Sequence, residues 1–306
     1  MNEDQSVTLP DGRTLGYAEY GDPDGRPVLF FHGWPSSRYQ AAYLDADARE
    51  RGLRVLAPDR PGIGLSDPLP GRRFADWPRD VAAFADLLGI RSFPILGVSG
   101  GGPYTLAACG SLDGRITRAA IICGAPPLAG KADRSHMHWA YKTLASHRGF
   151  RRAALPALIP FSRWMVHRGA RRAPMSWMLR SVPVHDREAL HSIGGWEMVT
   201  RSYLEAIRNG PDSILTEGEL YLQPWDFEPE KIAVPVRFWH GLDDANLPCE
   251  VAKRLAARVP GADGRWVENE GHYSIAIHLS PEALDWLKEE GEATAAPAAR
   301  RHQTVG

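Results

Sequence analysis

The chain alternates between short apolar runs and amphipathic stretches. Residues 28–31 (VLFF), 53–57, 93–98, 119–123 and 236–240 are continuous apolar or nearly apolar runs flanked by turn residues. Runs of that length read as strands buried on both faces. Residues 13–20 (RTLGYAEY) alternate instead, and predict a strand with Leu15, Tyr17 and Glu19 on one face. Residues 265–267 predict a last short strand. Helical spacing fills the intervals over about 37–51, 103–109, 249–259 and 281–290. A further helix is entered at Asp76, carries Pro78 in its first turn, and lines up Val81, Phe84, Leu87 and Leu88.

Strands alternating with helices define the α/β class, with a mostly parallel sheet covered on both faces. The alternation stops between about 126 and 225, where the chain is helical in pattern, punctuated by proline and without a clear strand. The expected organisation is a core of residues 1–125 and 226–290, a helical cap or lid of residues 126–225, and a tail. That tail, 291–306, is Ala-rich and basic without apolar periodicity, so it is expected to fray.

Composition narrows the function. With 43% hydrophobic and 24% charged residues in 306, the chain has globular usage, and its net charge of −1 disfavours a nucleic-acid binder. No apolar stretch of about 18 residues occurs, so no membrane-spanning helix is expected. The N-terminal Met1-Asn2-Glu3-Asp4-Gln5 lacks a signal-peptide pattern, and Cys109, Cys123 and Cys249 lack metal-ligand spacing. A cytoplasmic protein with three reduced thiols is expected. No metal or cofactor site is expected either: there is no G-x-x-x-x-G-K-[ST] and no paired-cysteine motif, and His136 and His138 form too small a set.

Gly97-Val98-Ser99-Gly100-Gly101 follows one predicted strand and opens a predicted helix. A nucleophile on such a turn needs glycine two residues away on either side, where a side chain would strike neighbouring backbone. Four other segments accompany it: Phe31-His32-Gly33-Trp34-Pro35, Asp59-Arg60-Pro61-Gly62-Ile63-Gly64-Leu65-Ser66-Asp67, His240-Gly241-Leu242-Asp243-Asp244-Ala245-Asn246-Leu247-Pro248 and Glu270-Gly271-His272. In this order they resemble the α/β-hydrolase fold superfamily, and within it the capped serine esterase and haloperoxidase-like branch.

The resemblance implies a mostly parallel eight-stranded sheet flanked by helices, with a helical cap insertion. It also implies a catalytic triad in the order Ser, Asp, His. Ser99 is the candidate nucleophile, and His272 the candidate base. The family's acid stands four residues before a proline, which selects Asp244, with Asp243 as fallback. The family's alternative acid position holds Gly124-Ala125-Pro126 and offers no carboxylate. Backbone amides of Trp34 and Gly100 are the candidate oxyanion hole. His32 is read as a loop-shaping residue, His240 as structural, and His278 as a helix residue without a motif.

A serine at the elbow, where epoxide hydrolases and haloalkane dehalogenases carry aspartate, argues for acyl chemistry. The expected substrate is a small hydrophobic carboxylester, lactone or related acyl compound, with no cofactor. C–C bond hydrolase and perhydrolase or haloperoxidase-type activities reuse the same triad and stay open. So does a non-catalytic ligand receptor, because fold does not fix function.

Charge is distributed unevenly. Residues 134–185 hold ten Lys and Arg and no Asp or Glu, interleaved with Trp139, Tyr141, Phe150, Phe161, Trp164 and Trp177. The neutral total therefore joins a basic, aromatic lid to an acidic remainder. The lid is a candidate contact for an anionic substrate or surface; the competing reading is solvated arginine over an apolar underside.

Overall fold

In the computed structural model the described residues are 2–130, 134, 148–169, 180 and 182–289. Eight strands form one sheet in the order β1-β2-β4-β3-β5-β6-β7-β8: β1 (Asn2–Thr8), β2 (Thr14–Gly21), β3 (Arg26–Phe31), β4 (Leu53–Pro58), β5 (Phe93–Val98), β6 (Ile116–Ile122), β7 (Val236–Gly241) and β8 (Asp263–Val267). The β1–β2 and β2–β4 pairings are antiparallel and all others parallel. The chain thus has the α/β-hydrolase sheet that its motifs implied.

The central runs are buried on both faces, as continuous apolar strands require. Along β3, Leu29 and Phe31 join one hydrophobic cluster, and Val28 and Phe30 join the other. The first cluster is covered by α2 (Trp77–Leu87) through Val81 and Phe84, and by α3 (Gly101–Ser111) through Leu106 and Ala107. The second is covered by α1 (Asp45–Glu50) through Ala48, and by a C-terminal helix through Ile275, Leu284 and Leu287. β2 departs from the one-faced expectation. Ala18 and Tyr20 are buried as well as Leu15 and Tyr17, because a 3-10 turn over Arg38–Leu44 and α1 cover its second face.

Three boundaries differ from the sequence reading. β1 is not expected from the sequence: six of its seven residues, NEDQSVT, are polar, and it is an edge strand with only half-buried positions on one side. The single helix over 37–51 is a 3-10 turn followed by α1. The last helix begins at His272, not at 281, and Pro281 lies inside it. Burial of Ile275 and Ala276 ahead of the proline, and Leu284 and Leu287 after it, keeps the helix continuous against the sheet.

Between β6 and β7 the described residues form four helices: α4 (Arg148–Arg168), α5 (Val184–Ser192), α6 (Gly195–Ala206) and α7 (Asp212–Tyr221). α8 (Cys249–Ala256) and α9 (His272–Lys288) complete the set. Among the described residues no helix is long and apolar enough to cross a membrane. His136, His138, Trp139, Tyr141, Trp177, residues 135–147, 170–179 and 181 of the basic stretch, and the 291–306 tail lie outside the described residues.

Candidate active site

The sheet delivers its chemistry at the carboxyl ends of its parallel strands, the usual position for ligands in open α/β sheets. Trp34 follows β3, Ser99 follows β5, Asp244 follows β7 and His272 follows β8.

Ser99 sits in left-handed backbone, with φ of +53°. A non-glycine residue there is strained, and surrounding structure must hold it. The Ser99 amide donates to Ile122 O at 2.9 Å, and the Ser99 carbonyl accepts from Gly102 N at 3.0 Å and Ala125 N at 2.8 Å. The flanking glycines are both obligatory, for different reasons. A Cβ on Gly101 would lie 2.0 Å from the Phe31 carbonyl oxygen, a backbone clash of the expected kind. A Cβ on Gly97 would instead lie 2.2 Å from the Thr105 hydroxyl, so its closest obstacle is a side chain rather than the backbone expected.

His272 Nε2 lies 3.0 Å from Ser99 Oγ, and His272 Nδ1 lies 2.8 Å from Asp244 Oδ2. The other Asp244 oxygen accepts backbone N–H bonds from Asn246 and Leu247, both at 2.8 Å. Burial alone would raise the Asp244 carboxyl. The charge of His272 and hydrogen bonds from His240 and His272 outweigh that and hold it well below the usual carboxylate range. His272 answers in the opposite direction: burial lowers it, but the Asp244 carboxylate raises it well above an ordinary imidazole. Asp243 is exposed and uses its backbone N–H to bond Glu270 O at 3.0 Å. Of the two aspartates, only Asp244 meets His272.

The rival histidines sort out by contact. His32 is fully buried, accepts the Arg60 amide at Nε2 (3.4 Å) and donates from Nδ1 to Gly33 O (2.9 Å). Burial and then Arg60 push its basicity down, so it shapes the loop as a neutral ring. His240 is more than a structural strand end: its Nε2 lies 3.3 Å from Asp244 Oδ2 and 3.1 Å from Leu247 O. His278 pairs with Glu270 at 2.8 Å.

The two candidate oxyanion amides are aimed by what holds the carbonyls of their peptide units. In a planar trans peptide, N–H and C=O point in opposite directions. Gly33 O is held by Arg60 at 2.7 Å, which turns the Trp34 N–H to the opposite side. Ser99 O is held by Gly102 and Ala125, which turns the Gly100 N–H likewise. Among the described residues, neither N–H donates to a protein acceptor. Trp34 is fixed further by its indole N–H, which bonds Ile214 O at 3.1 Å, and Tyr221 donates to Gly100 O at 2.9 Å.

Arg60 belongs to a fully buried ion cluster that sequence reasoning did not find. Its guanidinium pairs with Glu217 of α7 and bonds His32 O. Glu217 also accepts from Arg72 at 2.9 Å, and Arg72 donates to the Tyr104 hydroxyl at 2.6 Å. Burial would raise the Glu217 carboxyl, but Arg60 and Arg72 pull it down to about 2. Removing one partner of a buried pair leaves the other charge uncompensated. Glu217→Gln strands two guanidinium groups and is expected to lower unfolding stability by about 3–5 kcal/mol in urea titrations. A loss below about 1 kcal/mol, the range of exposed pairs, would contradict this reading.

Ser99 and His272 open on a cavity of about 170 Å³ whose exposed lining is mainly apolar. Val98, Leu128, Met198, Val199, Leu222 and Ala276 are among its walls, with Gln40, Ser36 and Asn246 as polar points. Cys123 also lines it, at the end of β6 with φ of +43°. Burial pushes its thiol up. Among the described residues no lysine or arginine lines the cavity, and no group of three or more His, Cys, Asp or Glu is placed to hold a metal ion.

Comparisons agree with this architecture. The model of the alpha/beta hydrolase fold family matches residues 26–278. The chain belongs to the α/β-hydrolase fold family. It is similar to a non-heme chloroperoxidase of Streptomyces lividans, with 27% identity over 92% of this chain and 99% of that one. It is also similar to a bifunctional esterase/perhydrolase of Acinetobacter calcoaceticus, 32% identical over 42% of this chain and 47% of that one. An esterase from Exiguobacterium antarcticum shares the fold, with a TM-score of 0.68 at 18% identity, covering 94% of this chain and 98% of that one. With relatives named as esterases and haloperoxidases, the hydrolase class is supported.

Proposed function

We propose that the chain is a serine hydrolase of compact, uncharged acyl esters. The observation that carries this reading is the hydrogen-bonded line Ser99–His272–Asp244, opening into the apolar cavity. His272 Nε2 takes the Ser99 proton as Oγ attacks the acyl carbonyl, and Asp244 holds the ring in the Nδ1–H tautomer and stabilises the imidazolium. The oxyanion receives the Trp34 and Gly100 N–H groups. Collapse releases the alcohol, protonated by His272, and leaves an acyl-Ser99 ester. Water, deprotonated by the same histidine, then releases the acid. Residues 126–225 serve as the lid: Met198, Val199, Gly218, Tyr221 and Leu222 of that stretch wall the cavity.

Cavity size and charge set the substrate class. An apolar space of about 150 Å³ accommodates benzene, so the 170 Å³ here suits a short aliphatic or phenyl acyl group. Without a lining cation among the described residues, a carboxylate on the acyl chain has no partner there. In a p-nitrophenyl ester series, butyrate and benzoate are expected to exceed dodecanoate, and neutral acyl groups to exceed the hemisuccinate. Preference for the hemisuccinate would overturn the uncharged-substrate reading and return the basic stretch to the site.

The names of the chloroperoxidase and esterase/perhydrolase relatives favour one second reading. The acyl-Ser99 ester is attacked by hydrogen peroxide instead of water and gives a peracid. It needs the same residues and no cofactor, and is tested by peracid formation from a short-chain ester or acid plus peroxide.

A further inference from the structure

The helix that begins with His272 caps itself only in part: its Ser274 Oγ accepts the Gly271 N–H at 2.7 Å, and the N–H groups of its own first turn are left open. Gly271 precedes it, and glycine has no side-chain oxygen to accept the first-turn N–H groups that every helix leaves open. Those groups are taken by a residue 86 positions earlier. Asp186 accepts His272 N at 3.2 Å through Oδ2, and Tyr273 N and Ser274 N at 2.8 Å each through Oδ1. Asp186 is buried and lies in the first turn of α5, within the helical stretch between β6 and β7. Among the described residues it has no lysine or arginine partner. The N-terminus of α9 faces this carboxylate, which also lies in the first turn of its own helix, and both positions favour negative charge. Gly271 fits the arrangement: a Cβ there would lie 2.5 Å from Asp186 Oδ1 and 2.6 Å from Oδ2.

We infer that Asp186 is a positioning residue for the base, tying the seating of the helical stretch over the sheet to the placement of the His272 ring against Ser99. The side chain of His272 is oriented by Asp244, but its backbone is held by Asp186. The base is therefore assembled from two sides, the core through Asp244 and the helical insertion through Asp186. A displacement of α5 withdraws the cap from α9 and releases the backbone of His272. This inference rests on the hydrolase reading for its kinetic consequence, and on geometry alone for its structural one.

Two variants test it. Asp186→Ala removes all three acceptor contacts, and Asp186→Asn keeps one oxygen but loses the charge. Misplacing a catalytic group by about 1 Å can cost about 100-fold, so kcat on a p-nitrophenyl ester is expected to fall about 10- to 100-fold in Asp186→Ala, with KM within about threefold. Asp186→Asn should recover part of that loss. Val184→Ala, on the exposed side of the same helix, serves as a control and should match the wild type.

A merely structural role would leave the titration of His272 alone, so its ring is followed by NMR in wild type and Asp186→Asn. The groups facing the ring are Asp244 from the loop after β7, Cys123 just after β6 and the ring of Tyr273 at 5.6 Å; Asp186 from α5 holds the backbone N–H of the same histidine at 3.2 Å, Glu270 pairs with His278 and His240 with Asp244. Deleting the Asp186 charge disfavours the imidazolium, so the ring should titrate at lower pH in Asp186→Asn, and the acid limb of kcat/KM should move with it. An unchanged His272 titration and unchanged kcat in both variants would overturn the inference. If the wild type hydrolysed no ester, the hydrolase reading would fail, while the NMR comparison would still decide the role of Asp186.

Discussion

Ser99→Ala is expected to lower ester hydrolysis by at least about 10⁴-fold, the scale on which loss of a triad serine acts. The elbow concentrates every requirement on one oxygen. Ser99 Oγ lies 3.0 Å from His272 Nε2, on a left-handed turn where Gly101 clears the Phe31 carbonyl and Gly97 clears the Thr105 hydroxyl. Alanine keeps the Cβ and the turn, so the fold and the cavity survive and KM can still be read. The lost hydroxyl has no neighbour to replace it: Cys123 lines the same cavity, but burial keeps its thiol protonated. A residual rate within tenfold of wild type would move the nucleophile elsewhere.

Asp244→Asn carries the next largest effect, a fall in kcat of about 10³- to 10⁴-fold at little change in KM. The reason is the tautomer it enforces. Asn246 N and Leu247 N both donate to Oδ1 of Asp244, and an asparagine keeps its oxygen on those two donors. Its NH₂ then faces His272 Nδ1, where the carboxylate now accepts a hydrogen at 2.8 Å. The ring responds by moving its proton to Nε2, and Nε2–H has no lone pair for the Ser99 proton. His240, whose Nε2–H faces the same carboxylate oxygen at 3.3 Å and Leu247 O at 3.1 Å, loses that acceptor when NH₂ replaces it, which adds to the cost of the substitution. Steady-state kinetics with a circular-dichroism check of folding measure it. Retention of more than a tenth of the wild-type rate would remove Asp244 from the acid role.

What the sequence disclosed about this site follows from how local each signal is. Ser99 was legible because its elbow is five consecutive residues whose glycines answer steric demands within one turn. Asp244 and His272 were legible as motif positions in separate loops, and the parallel sheet places both loops at the same edge. Glu217 and Asp186 were not legible. Each is a single acidic residue in an amphipathic helix, a pattern shared with any solvated face, and their partners lie 157 and 86 residues away in sequence. Arg60 stood in a recognised loop motif, but the motif does not say that its guanidinium holds the carbonyls of His32 and Gly33. β1 escaped notice because a polar edge strand carries almost no alternation. The start of α9 was hidden for two reasons: Pro281 imitates a first-turn proline, and the true cap comes from another part of the chain.

The uneven charge looks different beside the cavity. Among the described residues, the basic stretch sends no lysine or arginine into the lining. Arg134 is turned to Leu128 O at 3.0 Å, and Arg168 stacks over Trp164 at 4.8 Å. Under the proposed function, substrate selection rests on shape and apolar walls.

In the proposed mechanism Ser99 is the group made reactive by His272 and Asp244. Labelling with a fluorophosphonate probe, followed by intact mass and peptide mapping, tests it most directly. One probe per chain is expected, on Ser99, with labelling lost in Ser99→Ala and slowed in Asp244→Asn in step with kcat. Ester hydrolysis that persists without labelling, or a label on any other residue, would contradict it.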